Sequence, residues 1–475
     1  MIAAVPDARR EIAVDAAVIG GGLAGLATAI HLARNDIRVV CIEPRRWPRP
    51  AVGESLEFSA PRLLADLGVD LDCSDDSAHL YPKTSVMIHG DETTFNVWPP
   101  SWFSRPPIWC SCTAYHTDRT KLDHQIAGIA VEHGVEILEE RVTHIDHDYD
   151  TIKELVTDHG TRVTAEWYVD ATGHSSRLLG RTLGLEVETL GLPRMAYWGR
   201  FDVPPLGHAT CLYFFDDQAD DLAWAWEIPL NANELSIGAV MSAPKLARLR
   251  HQGLRPSDIF GFQLRQNPRL ASIINKQPAV PLHATSYTPY RHRPTIGPNW
   301  LLVGDASAMV DPLTSNGVTF ALRGAEQAAR TVSRALDQHS DGRRLAWAYK
   351  NTVPATATTL GHAIESFLYK PSVRQRLGIR WAVNLYAATG VITNSLYARI
   401  GQTSVTRSAA TAGMLAAART WTGVGATLAG MFRPRRDTSA SRDIDLRRPV
   451  ASTPSISFRN FVDPRLATAE RPLAR

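Results

Sequence analysis

The chain has 475 residues, 44% of them hydrophobic and 21% charged, with 51 Lys+Arg against 48 Asp+Glu. Length admits one large domain or two to three ordinary ones, and composition excludes a disordered or collagen-like chain. A net charge of +3 gives no reason to expect nucleic acid as a partner.

Met1–Ile12 carries Asp7, Arg9, Arg10 and Glu11 where a signal peptide needs an apolar core, so a cytoplasmic location is expected. Asp15–Ile19 reads as a buried parallel strand ended by three glycines, and Leu23–Arg34 as a helix with Leu26, Ala27, Ile30 and Leu32 on one face. Arg38–Ile42 is a second buried strand. Together they form the strand–turn–helix–strand unit that opens a Rossmann-type fold. Alternating patterns then predict strands over Val86–Val97, Arg141–Tyr149, Thr161–Val169, Met195–Val203, Thr210–Phe215, Leu222–Pro229 and Glu234–Met241, interrupted by a helix at Lys121–His133. Trp300–Val303 is another buried strand, and a long helix spans Val318–Leu336. From Arg343 onward the pattern is mostly helical. Gly413–Phe432 reads as a packed helix pair, with contact at a membrane surface as the alternative.

These elements imply an α/β fold. A Rossmann-type nucleotide domain, assembled from residues 1–81, 118–193 and 291–340, carries an inserted antiparallel β-sheet substrate domain from 82–117 and 194–290. A helical C-terminal region at 341–432 and a basic, loosely ordered tail at 433–475 follow. The five scattered cysteines make no disulfide framework, and Cys110-Ser-Cys112 lacks the second pair that a zinc site needs.

Gly20-Gly21-Gly22-Leu23-Ala24-Gly25 fits G-x-G-x-x-G in the correct strand–helix setting. Gly20 allows the tight turn, Gly22 the approach of a pyrophosphate, and Gly25 close packing of helix on strand. Glu43, 18 residues after Gly25, stands where a carboxylate holds both ribose hydroxyls. A second motif, Gly304-Asp305-Ala306-Ser307, follows the Trp300–Val303 strand and turns the expectation toward FAD. With Asp170-Ala-Thr-Gly173 and the helix start Asp118-Arg119…Leu122-Asp123, it resembles the group A FAD-dependent monooxygenase superfamily. That resemblance implies that Asp305 binds the flavin ribityl chain and that Arg119 lies near the cofactor. His174 reads as structural.

Trp224-Ala-Trp226-Glu-Ile228-Pro229 places two indoles on one face of a strand, a spacing that core packing alone also produces. The stretch resembles the W-x-W-x-I-P signature of flavin-dependent halogenases. Gly53-Glu54-Ser55 is similar to the halogenase loop after the second strand. Lys83, 28 residues after Ser55, is similar to that family's catalytic lysine, although a lysine at a strand start is ordinarily solvated. The resemblance implies FAD as cofactor, with Glu54 and Ser55 beside it. Lys83, Trp224 and Trp226 would be the catalytic set.

The resemblance also implies a chemistry. Halide is oxidised at the flavin, and hypohalous acid travels through the interior to the lysine, which works beside an electron-rich ring. Asn316 and Gly317, in Asp311-Pro312-Leu313-Thr314-Ser315-Asn316-Gly317-Val318, are the halide candidates. Their residue types equally suit a positive-φ turn before a helix. Free-tryptophan halogenases carry Glu where Thr314 stands. The implied partners are an aromatic substrate (possibly carrier-bound or peptidyl), halide, and a separate flavin reductase. The alternative activities are hydroxylation of an aromatic small molecule or peptide side chain, and reduction of prenyl lipids at a membrane.

Overall fold

The computed structural model describes residues 10–47, 51–72, 79–90, 94–96, 114–215, 222–276, 280–337, 342–371, 374, 378–384, 386, 416, 417 and 420. β1 (Glu11–Ile19) is buried over Ala16–Ile19, within the apolar run. α1 (Leu23–Ala33) and β2 (Val39–Ile42) complete the expected opening unit. After α2 (Ala60–Leu67) come β3 (Leu80–Lys83), β4 (Ser85–His89) and β5 (Thr94–Asn96). β4 and β5 pair antiparallel, so Val86–Val97 is not the single strand expected. Gly90 directly follows β4, where the run breaks.

β6 (Ala114–Thr117) runs into α3 (Arg119–Glu132), whose N-cap Asp118 accepts from Thr120 N at 3.0 Å. β7 (Glu136–Leu138), β8 (Val142–Asp148), β9 (Thr151–Thr157) and β10 (Arg162–Asp170) follow. Next come the short helices α4 (Gly173–Ser176) and α5 (Leu178–Thr182), then β11 (Glu186–Thr189) and β12 (Arg194–Phe201). β13 (Ala209–Phe215), β14 (Ala223–Pro229) and β15 (Leu235–Ser242) precede α6 (Ala243–His251), α7 (Pro256–Arg265) and α8 (Pro268–Lys276). β16 (His283–Tyr287), β17 (Tyr290–Arg293), β18 (Trp300–Leu302) and β19 (Ala308–Met309) lead to α9 (Gly317–Leu336), α10 (Gly342–Lys350) and α11 (Val353–Ala363). A π-helical turn, Ile364–Tyr369, continues α11.

The nucleotide sheet runs β7-β2-β1-β10-β9-β8, with β18 also on β10. β7, β2, β1, β10 and β18 pair parallel with one another, whereas β9 is antiparallel to both β10 and β8. The strands expected over Arg141–Tyr149 and Thr161–Val169, inside the 118–193 segment assigned to the nucleotide domain, lie in this sheet as β8 and β10. β10 lies beside β1 over its whole length, a pairing that local alternation does not encode.

The second sheet runs β16-β12-β15-β14-β13-β4-β5. It is antiparallel except for β13 on β4, a correction to the all-antiparallel expectation. The long excursion between these two strands supplies the crossover that parallel pairing requires.

α9 packs between the sheets. Val318 and Leu322 enter the core around α1 and β1, whereas Phe320 enters the core around Trp224 and Trp226. The opposite face of the second sheet is covered by α6, α7 and α8 through Leu246, Ile259, Phe260, Leu264 and Ile273. Those three helices were not expected from the sequence. Their periods are short and sit next to strand-like runs. The Gly413–Phe432 segment, apart from isolated positions, and the 433–475 tail lie outside the described residues. No helix among the described residues is long and apolar enough to cross a membrane.

Candidate active site

The three motif glycines meet three different demands. Gly20 has φ +104°, and a Cβ there would stand 2.6 Å from the Ala171 carbonyl oxygen. A Cβ on Gly25 would collide with the Gly20 carbonyl, so only hydrogen lets α1 lie this close to β1. At Gly22, the N-cap of α1, no side chain caps the helix and no atom of the described residues lies within 4 Å of a Cβ position. That open cradle, at a helix N-terminus, suits a diphosphate.

At the end of β2, the buried Glu43 accepts from Gly21 N at 2.9 Å and Arg45 N at 3.0 Å. Asp305 follows β18 with a side chain 43% exposed, facing His174 Nδ1 at 3.9 Å. Gly304 lies against Ala24 of α1, which brings the two motifs together. The uncovered glycine cradle and the two carboxylates at the carboxyl ends of parallel strands fit FAD.

Arg119 is tied to Asp123 at 2.8 and 3.1 Å and donates to the Val52 carbonyl at 2.6 Å. It therefore braces the loop at 52–57. Glu54, in that loop, is buried. Burial pushes its carboxyl up to about 7 despite the opposing Arg200, Ser236 and Arg119.

Lys83 ends β3, where its backbone lies opposite Ala114 of β6. The same β6 is bridged on its other side by Ser55, opposite His116. Leu56 N donates to the Tyr115 carbonyl and Thr117 N to the Glu54 carbonyl. This layering delivers the lysine across β6 onto the loop. Nζ lies 2.8 Å from the Leu56 carbonyl and 2.9 Å from Ser55 Oγ, and the residue is only 5% exposed. Burial pulls the amine down to about 7, against the opposing charge of Glu57.

Ser55 Oγ also lies 2.8 Å from Thr210 Oγ1, which is 2.8 Å from His116 Nε2. The structure thus brings Ser55 to the lysine. Burial, followed by Lys83 and His208, holds the His116 imidazole well below the usual range.

Trp224 and Trp226 share one face of β14, with ring centroids 5.7 Å apart. Trp226 Nε1 donates to Ser236 Oγ at 3.1 Å and its ring fills the space where a Gly238 side chain would be. Trp224 is directed elsewhere than Lys83. Its Nε1 donates to Tyr369 OH at 2.8 Å, and Tyr369 donates to Asp311 at 3.1 Å. Asp311 accepts in addition from Tyr287 OH at 2.9 Å and Leu313 N at 3.0 Å.

Arg194 lies 3.4 Å from Asp311, pairs with Glu365 at 2.7 and 3.1 Å, and stacks 3.5 Å above the Tyr369 ring. Burial opposes this guanidinium, but Tyr369, Asp311 and Glu365 outweigh it and hold the group firmly charged. Asp311 opens the turn that leads to Asn316, the N-cap of α9. The positive φ expected near Asn316 falls on Ser315, at +59°. Asn316 Nδ2 donates to Thr314 Oγ1 at 2.8 Å and to Tyr386 OH at 3.3 Å. Gly317 is exposed, and no atom of the described residues lies within 4 Å of where its Cβ would be.

Sequence reasoning missed Glu57, His116, Thr210, Arg194, Asp311 and Tyr369. Glu57, two residues beyond Ser55, and Asp311, which opens the segment leading to Asn316, had a local signal. Glu57 is buried, accepting from Ser59 N and from Thr319 Oγ1 at 3.2 Å, with no partner for Oε1 among the described residues.

A tryptophan halogenase family model matches residues 110–364, more than half of the chain. The chain belongs to the tryptophan halogenase family. A lycopene cyclase model also matches residues 15–193. Among curated relatives of this halogenase-family chain, the 1H-pyrrole-2-carbonyl-[peptidyl-carrier protein] brominase of Pseudoalteromonas luteoviolacea is 26% identical. That alignment covers 68% of this chain and 78% of the brominase. Flavin-dependent halogenase armH5 of Armillaria mellea is 29% identical over 66% of this chain, and the alignment spans 63% of armH5.

Flavin-dependent brominase Bmp2 shares the fold, with a TM-score of 0.65 and 23% identity over 82% of this chain and all of Bmp2. The flavin-dependent halogenase CmlS has a TM-score of 0.64 and 21% identity, covering 88% of this chain and 78% of its own. The Rossmann-type α/β fold and FAD as cofactor are those of the family, and the protein is an FAD-dependent oxidoreductase of the halogenase type.

Proposed function

We propose that this enzyme uses reduced FAD, O2 and halide to halogenate an electron-rich aromatic ring, working in the cytoplasm with a separate flavin reductase. The observation that carries the reading is the Lys83 amine, buried and shifted to about 7, within a flavin-dependent halogenase family member. When bound, reduced FAD supplies the activation of O2 that oxidises halide.

The chain's own residues would do the rest. Gly20, Gly22, Gly25 and the α1 N-terminus would hold the diphosphate, Glu43 the ribose, and Asp305 and Arg119 the flavin end. Backbone N–H groups at Asn316 and Gly317, which open α9, would hold the anion. Near pH 7 Lys83 Nζ is divided between ammonium and amine, so it can hold or yield a proton while the surrounding burial excludes water. The alignment over 78% of a brominase named for a carrier-tethered pyrrole supports a ring delivered on a carrier protein.

The test supplies chemically reduced FAD, O2 and bromide with phenols, indoles and pyrroles, free and carrier-loaded, followed by mass spectrometry. Brominated product is expected. A product heavier by one oxygen would replace this reading with hydroxylation. Lys83→Met should lower bromination by about 100-fold or more, the scale of a lost proton-transfer group, while FAD content is kept. Undiminished bromination would remove Lys83 from its role.

A further inference from the structure

Four buried side chains from four separate segments form one unbroken line. Lys83 Nζ is 2.9 Å from Ser55 Oγ, Ser55 Oγ 2.8 Å from Thr210 Oγ1, and Thr210 Oγ1 2.8 Å from His116 Nε2. All four residues are at most 5% exposed. The two hydroxyls can be polarised in either direction, so the end groups decide which way their protons point.

At the far end, His116 Nδ1 is buried and has no hydrogen-bond partner among the described residues. A tautomer with hydrogen on Nδ1 would bury an unmet donor, which is the costlier arrangement. Hydrogen on Nε2 leaves only a bare acceptor at Nδ1 and donates to Thr210. Thr210 then donates to Ser55, and Ser55 donates to the lone pair of the Lys83 amine. The Leu56 carbonyl, 2.8 Å from Nζ, accepts one of the amine hydrogens.

We infer that Thr210 and His116 are positioning residues: the imidazole tautomer sets the polarity of a Thr210–Ser55 hydroxyl chain that aims the Ser55 proton at Lys83 Nζ and fixes the direction of its lone pair. The inference rests on Lys83 being the working amine. Neither Thr210 nor His116 touches substrate in this account, since both act through Ser55. The charged groups that bear on the line are Glu57, from the loop beside Lys83, and His208, from the segment before β13, facing His116. Glu57 favours the ammonium. The chain polarity opposes it by giving the neutral amine a donor.

The experiment uses full-length, FAD-loaded enzyme with 13Cε-labelled lysine, and the Lys83 resonance is assigned with Lys83→Arg. Wild type should titrate near neutrality. Thr210→Val keeps the shape but removes the hydroxyl and so uncouples Ser55 from the imidazole. Its Lys83 midpoint should rise by about one pH unit, the worth of one oriented hydrogen bond, and the pH profile of bromination should move with it. Thr210→Ser should restore both, and His116→Gln, which keeps an N–H donor near Nε2, should lie close to wild type.

A folded Thr210→Val enzyme with an unmoved lysine midpoint would overturn the inference, as would failure of Thr210→Ser to restore it. If wild type brominates nothing yet the midpoint still responds to Thr210, the halogenase reading falls while the hydroxyl chain stands.

Discussion

At the scale of single residues, two buried groups titrate near neutrality from opposite directions. Lys83 is lowered from 10.5 to about 7, so between those values the unfolded chain binds a proton that the native one does not. Stability therefore rises with pH across that window, and the full penalty persists below pH 7. Glu54 is raised from 4.5 to about 7. There the native state binds the extra proton, so its contribution is present at acid pH and lost as pH climbs through 7. Lys83→Met should exceed wild-type stability by on the order of 3 kcal/mol at pH 6 to 7, the gap closing toward alkali. Glu54→Gln should exceed it by on the order of 2 kcal/mol at pH 8, the gap closing toward acid. Urea unfolding in a series of buffers checks both signs, and pH-independent gaps would refute them. Lys83 was legible in the sequence because of its neighbours in the chain. Its partners His116 and Thr210 were not, since they reach it only through pairing between distant strands.

At the scale of elements, the π-helical turn after α11 is fastened to the second sheet by a buried ion pair. Arg194 opens β12, and its guanidinium is wholly enclosed between Glu365 and Asp311. Such a pair adds little beyond what well-packed apolar residues would give, yet breaking one side is costly. Arg194→Met should lower unfolding free energy by about 3–5 kcal/mol, because two carboxylates lose their partner. Glu365→Gln should cost less, since that side chain is 19% exposed. Denaturant midpoints check both, and a Glu365→Gln loss larger than that of Arg194→Met would refute the ranking and make Glu365 the arginine's essential partner. The strand–helix–strand opening and α9 were readable because each has one clear period. The π-turn and α6–α8 were not. Short helices gain their stability from the sheet face they cover rather than from propensity, and that face is invisible locally.

At the scale of the whole molecule, the residues assigned to FAD come from the carboxyl ends of β1, β2 and β18, from the start of α3 and from the loop that bears on Lys83. A ligand that holds such distant segments stabilises the native state by mass action, about 2.7 kcal/mol at a hundredfold excess over its dissociation constant. Deflavinated enzyme should therefore unfold at lower denaturant, with a midpoint that recovers in proportion to the logarithm of added FAD. A midpoint indifferent to FAD would show that the cradle is not its site. The glycine motif made this half of the candidate site legible, because backbone shape beside it in sequence decides which positions accept only hydrogen, whereas Asp305 entered through its resemblance to a family motif. The other half depends on α9 lying between the sheets, which no motif announces. Gly20 begins the turn after β1, whereas Tyr369 closes the turn after α11, so nearly the whole described chain separates the first contributor from the last. During synthesis the ribosome must therefore release the π-turn before the indole of Trp224 can find its phenol, and a nascent chain that stops short of it leaves that indole N–H without its acceptor.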